Sequence, residues 1–294
     1  MSRPLANLLL LIAGAIWGMG FVAQSSAMNA IGPIYFVGLR FVIATLVIAP
    51  FALWETRRAT TPLTQASKTG FIQIGLALFT GMVIQQFGLM YTTVTNSGFL
   101  TGLYVVMVPF LTLVVLKTCP HPLVWPAVAM TFAGIWLLSG GDLVALNAGD
   151  GLTIASALFW SIQVILIARH SAESGRPLTL SLIQFAVCAV LGLLGGLLFE
   201  TITLEAISKV LPEILFAGIF ASGIAFSLQV IGQRYTTAPQ AAIFLTTESI
   251  FAALFAAIIL GERIASIGYV GGGLIFAAIL LVEAGPYAFK RQSA

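Results

Sequence analysis

One acidic and one basic side chain stand deep inside the apolar stretches of this 294-residue chain, Glu248 and Arg40. An ionisable group in hydrocarbon is costly unless it faces a polar cavity or a partner, so each marks a place where chemistry can occur. Glu248 could carry a proton or meet a ligand ammonium; its structural alternative is a carboxyl hydrogen-bonded to a neighbouring helix. Arg40 is read as structural, its guanidinium paired with backbone carbonyls, with a ligand carboxylate as the alternative. Gln85 and Gln229 offer donors and acceptors to the two head groups of a zwitterion, or else to each other's helices. Trp17, Phe21, Tyr104 and Trp160 could form a wall on which an apolar or aromatic group packs, worth ~0.5 to 1.5 kcal/mol per ring pair beyond burial. Gln163 lies three residues after Trp160 and so shares its helix face.

These residues must be held by helices in a bilayer. Apolar residues make up 59% of the chain and charged residues only 8%, which excludes a soluble globule. At ~20 residues per crossing the length suits about ten spans with short loops. The apolar segments run from Leu5 to Ala23, Pro33 to Trp54, Gly70 to Met90, Asn96 to Leu116 and Pro122 to Ser139. A second five follow from Gly151 to Ala168, Pro177 to Phe199, Leu211 to Gln233, Pro239 to Leu260 and Ala265 to Glu283. The first segment is too long for a signal peptide and is read as an uncleaved helix. With the N-terminus inside, one face collects Arg3, Arg57, Arg58, Lys68, Lys117, Arg169, Arg176, Arg234, Lys290 and Arg291. The other has only Lys209 and Arg263, alongside Asp142, Asp150, Glu200, Glu205, Glu213 and Glu262. That asymmetry predicts cytoplasmic N- and C-termini.

Shifting the chain by 144 residues lays its second half on its first. Tyr91-Thr92-Thr93 falls on Tyr235-Thr236-Thr237, Gln85 on Gln229, Gly88 on Gly232, Pro33 on Pro177, and Tyr104 on Glu248; a shift of 143 pairs Trp17 with Trp160. Two halves of five spans each must run oppositely through the membrane. The expected fold is therefore an all-α integral membrane protein, ten transmembrane helices in two inverted-topology five-helix repeats, residues 1–141 and 150–288. In such proteins the substrate site lies near the midplane between the repeats. The short links at Thr92–Thr95 and Thr236–Ala238 make each adjoining helix pair a hairpin, so Tyr91 and Tyr235 are candidate gate residues. Pro109 is a candidate hinge, because it removes a backbone hydrogen bond within the fourth segment. Gly14, Gly18, Gly20, Gly81 and Gly98 permit close packing or local flexing.

Trp17-Gly18 with Phe21-Val22, Arg40-Phe41, Pro109, and Glu248-Ser249-Ile250-Phe251-Ala252 leading to Leu260-Gly261-Glu262 resemble the drug/metabolite transporter superfamily of ten-helix carriers, in its EamA-type branch. Within it the chain is most similar to the bacterial YddG-type exporters of aromatic and other neutral amino acids. The resemblance implies an inner-membrane exporter with a cavity lined by helices one, three, four, six, eight and nine, with five and ten behind. Two positions depart from the family pattern. Ser249 stands where many members have proline, which puts a helix break there in doubt, and Lys117-Thr118 stand where many carry a glutamate ending the fourth helix.

Other activities lack their parts. No G-x-x-x-x-G-K-[ST] loop is present for ATP-driven transport. His121 and His170 are read as loop residues without ligand spacing, Glu173 as a solvated charge, and Cys119 and Cys188 as too different in depth for a disulfide. No mid-span histidine accompanies Glu248 to make an intramembrane enzyme. Scattered basic residues exclude a nucleic-acid stripe despite the net charge of +3. The expectation is a monomeric secondary transporter in the lipid bilayer, with a small-molecule substrate and no metal or cofactor. Trp17, Gln85, Tyr104, Trp160, Gln163, Gln229 and Glu248 are its expected substrate-binding residues. A multidrug carrier binding lipophilic cations at Glu248 is the alternative, and a channel-like facilitator the third reading.

Overall fold

Proline, which lacks the N–H that a first helical turn cannot use, opens five of the long helices of this chain through Pro4, Pro33, Pro177, Pro212 and Pro239. Threonine hydroxyls cap others, Thr64 accepting from the Ser67 N–H and Thr93 from that of Asn96. The computed structural model describes residues 1–138 and 147–292, with side chains as far as Glu283. Ser139, Asp142 and the expected repeat boundary at 141 fall outside the described residues, as do the side chains of Lys290 and Arg291. Ten long helices and no strand are found among those described: α1 (Arg3–Ala27), α2 (Pro33–Arg58), α3 (Gln65–Leu89), α4 (Val94–Leu116), α5 (Val124–Leu138), α6 (Ala148–Ser174), α7 (Pro177–Phe199), α8 (Leu211–Gln233), α9 (Ala238–Leu260) and α10 (Ser266–Gln292). Nine are long and apolar enough to cross a membrane, and α5, with 15 described residues, is the short one.

The two halves repeat in detail. Helices α4 and α9 coincide under the 144-residue shift, and each is interrupted at its middle, α4 at Gly102–Leu103 and α9 at Thr246. Both finish in a five-residue π turn, Thr112–Leu116 and Ala256–Leu260, followed by a left-handed residue, Lys117 (φ 51°) and Gly261 (φ 71°). The break in α9 thus exists despite Ser249, but three residues before it. Pro109 lies inside the regular half-helix Tyr104–Leu111, so the interruption of α4 is not at the expected hinge. Helix α9 packs on the break in α4: a Cβ at Gly102 would stand 2.9 Å from Ser249 Oγ, and that hydroxyl donates to the Gly98 carbonyl at 2.7 Å.

Helix α2 packs along α7, α3 along α6, α1 along α9 and α5 along α10. Each partnership uses small residues that let backbones approach, as membrane helices require when lipid is as apolar as their side chains. At the α2–α7 crossing, a Cβ on Gly38 would lie 2.7 Å from the Gly192 carbonyl carbon, and one on Gly192 would lie 2.5 Å from Gly38 Cα. Backbone cannot swing aside as a side chain can. Gly38→Ala should therefore destabilise by about 1 to 3 kcal/mol, whereas Gly272→Ala, with nothing within 4 Å of the new methyl, should leave thermal unfolding in detergent unchanged. The same pair is clamped at both ends. Glu55 accepts from the Leu178 and Thr179 N–H groups at 3.1 and 2.8 Å, and Glu200 from those of Ile34 and Tyr35 at 2.9 and 2.8 Å. Each carboxyl thus caps the start of the other's helix and satisfies orphan donors at the positive dipole end.

Candidate functional site

The half-helices that restart after the breaks carry Tyr104 and Glu248 in their first turns. They are equivalent positions of the two repeats, and equivalents meet only at the pseudo-twofold axis. There the Tyr104 hydroxyl sits beside the Glu248 carboxyl without closing a hydrogen bond of normal geometry, so that Tyr104 Oη and Glu248 Oε1 are both buried and unpartnered among the described residues. Around them lies one central cavity. Trp17, Phe21 and Gln24 line it from α1, Met82 and Gln85 from α3, and Thr101 and Tyr104 from α4. Trp160 and Val164 face it from α6, Phe226 and Gln229 from α8, and Leu245 and Glu248 from α9. Helix α2 adds Arg40, and none of the described residues of α5 and α10 lines the cavity.

The aromatic wall is continuous. Phe226 stands between the two tryptophans, its centroid 4.7 Å from that of Trp17 and 5.8 Å from that of Trp160, the second pair inclined by only 8°. Trp17 Nε1 donates to the Ala221 carbonyl at 2.8 Å, in the π-helical stretch of α8, which fixes its ring. Trp160 Nε1 is buried without an acceptor. Gln85 is held by donating to Thr101 Oγ1 at 2.7 Å, and Gln229 by exchanging hydrogen bonds with Gln163 at 3.1 and 3.3 Å.

Six of the seven expected binding residues are thus brought together, and the seventh is not. Gln163 does not line the cavity but is fully buried behind Gln229, bonded to it and to Gln184; its place on the cavity face of α6 is taken by Val164, four residues after Trp160 rather than three. Tyr91 and Tyr235 are exposed at hairpin turns on opposite faces and do not reach the cavity. The structure also corrects Arg40. It makes no pair with backbone carbonyls: Nε donates to Ser222 Oγ at 2.8 Å and Nη1 to Gln24 Oε1 at 2.9 Å, with the Met82 sulfur at 3.5 Å. Its guanidinium carbon stands 5.8 and 5.6 Å from the Phe36 and Phe41 ring centres. No carboxylate lies within ion-pair distance of it among the described residues. Phe226, Gln24 and Thr101 were missed, although each follows or precedes a recognised residue by three or seven positions on one helix face.

Elsewhere, His170 is not in a loop but near the end of α6, over Gly70, with Nδ1 3.6 Å from Glu173. Glu173 is solvated, as expected, and also 3.7 Å from Arg169. No group of metal-binding side chains occurs among the described residues.

The central cavity measures about 30 Å³, room for two or three waters at ~10 to 15 Å³ each. Two wider crevices of about 460 and 540 Å³ open on the face rich in Lys and Arg, both bordered by Thr112, Thr118, Thr237 and Pro239. On the opposite face the corresponding ends are joined. Glu262 accepts from the Val94 and Thr95 N–H groups, both at 3.1 Å, and from Thr95 Oγ1 at 2.5 Å.

The sequence matches the model of the EamA-like transporter family twice, over residues 4–140 and 147–284. An uncharacterized transporter of Archaeoglobus fulgidus is 32% identical over 96% of this chain and 87% of its own length. The uncharacterized transporter YwfM of Bacillus subtilis is 24% identical over 100% and 99%, and the uncharacterized inner membrane transporter YedA of Escherichia coli 25% over 94% and 90%. A crystal structure at 17% identity superposes with a TM-score of 0.78, covering 96% of this chain and 97% of that one, and so shares the fold. With both halves matched and the cavity lying between them, the chain belongs to the EamA-like transporter family.

Proposed function

We propose that this protein is an inner-membrane secondary transporter exporting small zwitterionic metabolites, foremost aromatic and other neutral amino acids, by alternating access of the central cavity. The observation that carries this reading is the set of unpartnered polar atoms, Trp160 Nε1, Tyr104 Oη and Glu248 Oε1, gathered on one aromatic-walled cavity. Each buried group without a partner costs ~1 to 3 kcal/mol, a cost that a substrate's polar groups would relieve. The apolar part of the substrate rests on Trp17, Phe226 and Trp160, and the ammonium meets Glu248. A cavity of 30 Å³ is too small for any amino acid, so loading requires α4 and α9 to part from the centre, the movement that their matched interruptions favour. Residues 1–141 and 150–288 act as the two repeats, and one chain suffices. The excess of Lys and Arg on the crevice-bearing face supports cytoplasmic termini, and the printed name of the E. coli relative supports an inner-membrane location. Export is the direction that the resemblance to YddG-type carriers implies.

Purified protein in liposomes should take up labelled Trp, Phe and Met saturably. Trp160→Ala should reduce kcat/KM by about tenfold or more through loss of stacking, and Gln229→Ala should reduce it as well, both in variants that still fold, although Trp160→Ala melts lower because it empties a buried site. Full activity in both variants, or uptake confined to a quaternary-ammonium drug, would overturn the assignment.

A further inference from the structure

Arg40 is 1% exposed on the wall of the central cavity, with no carboxylate within ion-pair distance among the described residues. A buried cation without a counter-ion is one of the most expensive features a membrane protein can keep. Its neighbours reduce the cost without cancelling the charge. Ser222 and Gln24 take Nε and Nη1, and the faces of Phe36 and Phe41 attract the cation, but Nη2 makes no hydrogen bond among the described residues. Two neutral acceptors from α8 and α1 therefore orient the guanidinium plane while leaving one nitrogen free. A carboxylate oxygen that reaches this nitrogen gains a charge-assisted hydrogen bond, about twice as strong as one between neutral groups.

We propose that Arg40 binds the substrate carboxylate and makes that carboxylate a condition of transport, Gln24 and Ser222 being its positioning residues. The inference rests on the amino-acid reading above and names the group that excludes amines. Arg40 enters from α2 two turns inside the helix start, beside Gln24 and Met82 near the ends of α1 and α3 on the face bearing Glu262; Glu248 lies deeper, at the middle of α9. The two ionisable groups thus occupy different levels of one cavity and form no ion pair with each other among the described residues. A substrate lying along the cavity with its carboxylate toward Arg40 and its ammonium toward Glu248 neutralises both. A lipophilic cation would neutralise Glu248 and leave Arg40 facing a like charge, which disfavours the multidrug alternative.

The test is proteoliposome uptake of tryptophan, tryptamine and indole-3-acetate, corrected for protein-free vesicles, by the parent and by Arg40→Lys, Arg40→Met and Gln24→Glu. The parent should prefer tryptophan to tryptamine by about 30-fold or more, the effect of a desolvated charge contact. Arg40→Met should lose that preference, and Arg40→Lys should retain part of it. Should Arg40→Met fail to fold, Gln24→Glu still reports: it keeps shape and hydrogen bond but supplies an internal counter-ion, so tryptophan transport should fall while tryptamine transport rises. A merely structural Arg40 would be satisfied by that internal pair, and selectivity would stay put. Unchanged selectivity in Gln24→Glu and Arg40→Lys, or a parent that carries tryptamine as well as tryptophan, overturns the proposal. Uptake of indole-3-acetate equal to that of tryptophan and dependent on Arg40 would instead sustain the carboxylate anchor and overturn the zwitterion reading.

Discussion

Glu248→Gln should reduce amino-acid transport by about 100-fold or more, and Glu248→Met should do the same while melting no lower than the parent. The two halves of this expectation have one cause. In the structure Glu248 is 5% exposed, and although the Tyr104 hydroxyl stands beside its carboxyl, Oε1 closes no hydrogen bond of normal geometry among the described residues. A buried polar group left unsatisfied subtracts from stability, and replacing it with an apolar side chain of similar length is neutral or stabilising. The function of such a group must then lie in what it meets when the cavity is loaded. Losing the charged partner of a desolvated substrate ammonium costs ~2 to 5 kcal/mol, which sets the size of the transport defect. Melting curves in detergent and uptake in liposomes read the two effects separately. A variant that melts several degrees lower would make Glu248 a structural residue, and one that transports normally would remove it from the site.

Much of that site was legible because of internal repetition. Tyr104 and Glu248, Gln85 and Gln229, and Trp17 and Trp160 stand at matching positions, and residues related by an axis are driven together wherever the helices cross it. The C-terminal ends of α4 and α9, Leu116 and Leu260, fell where the sequence put them, while their starts at Val94 and Ala238 lie two and one residues before the expected Asn96 and Pro239. What stayed hidden was rotation. Helices in lipid are apolar on all sides, so a hydrophobic stripe does not reveal which face turns inward. Arg40 was accordingly read as structural and paired with carbonyls, whereas α2 turns it into the cavity beside Gln24. Gln163 failed by one residue: three and four positions after Trp160 are both on its side of the helix, and packing against Gln184 of α7 chose Val164 for the cavity. The breaks were also beyond reach, since the sequence drew attention to Pro109 and Ser249 while the structure interrupts the helices at Gly102–Leu103, where Gly102 packs on Ser249, and at Thr246.

Replacing Glu262 with Gln should shift the balance of conformations toward one open on the Glu262 face, by roughly 30-fold. Gly261, left-handed at φ 71°, turns the chain so that the Glu262 carboxyl lies over the start of α4, where it takes two backbone N–H groups and the Thr95 hydroxyl. Charge-assisted capping of a helix N-terminus is worth ~2 kcal/mol, and that energy acts only while the ends are joined. The equivalent contact on the other face is missing twice over. Thr118 stands in place of the glutamate, and Pro239 in place of Thr95 has no N–H to give. Between those two residues lie the crevices. The asymmetry of two side chains therefore holds one face shut and leaves the other ajar, a bias that each transport cycle must overcome. Spin labels on Asn96→Cys and Ala265→Cys, with the exposed Cys119 replaced by Ser, should give a single short distance in the parent and a second, longer one in Glu262→Gln. A label pair at Lys117→Cys and Thr236→Cys should shorten in step if the two faces exchange through one movement. Unchanged distances at both faces would reduce Glu262 to a helix cap without a part in gating.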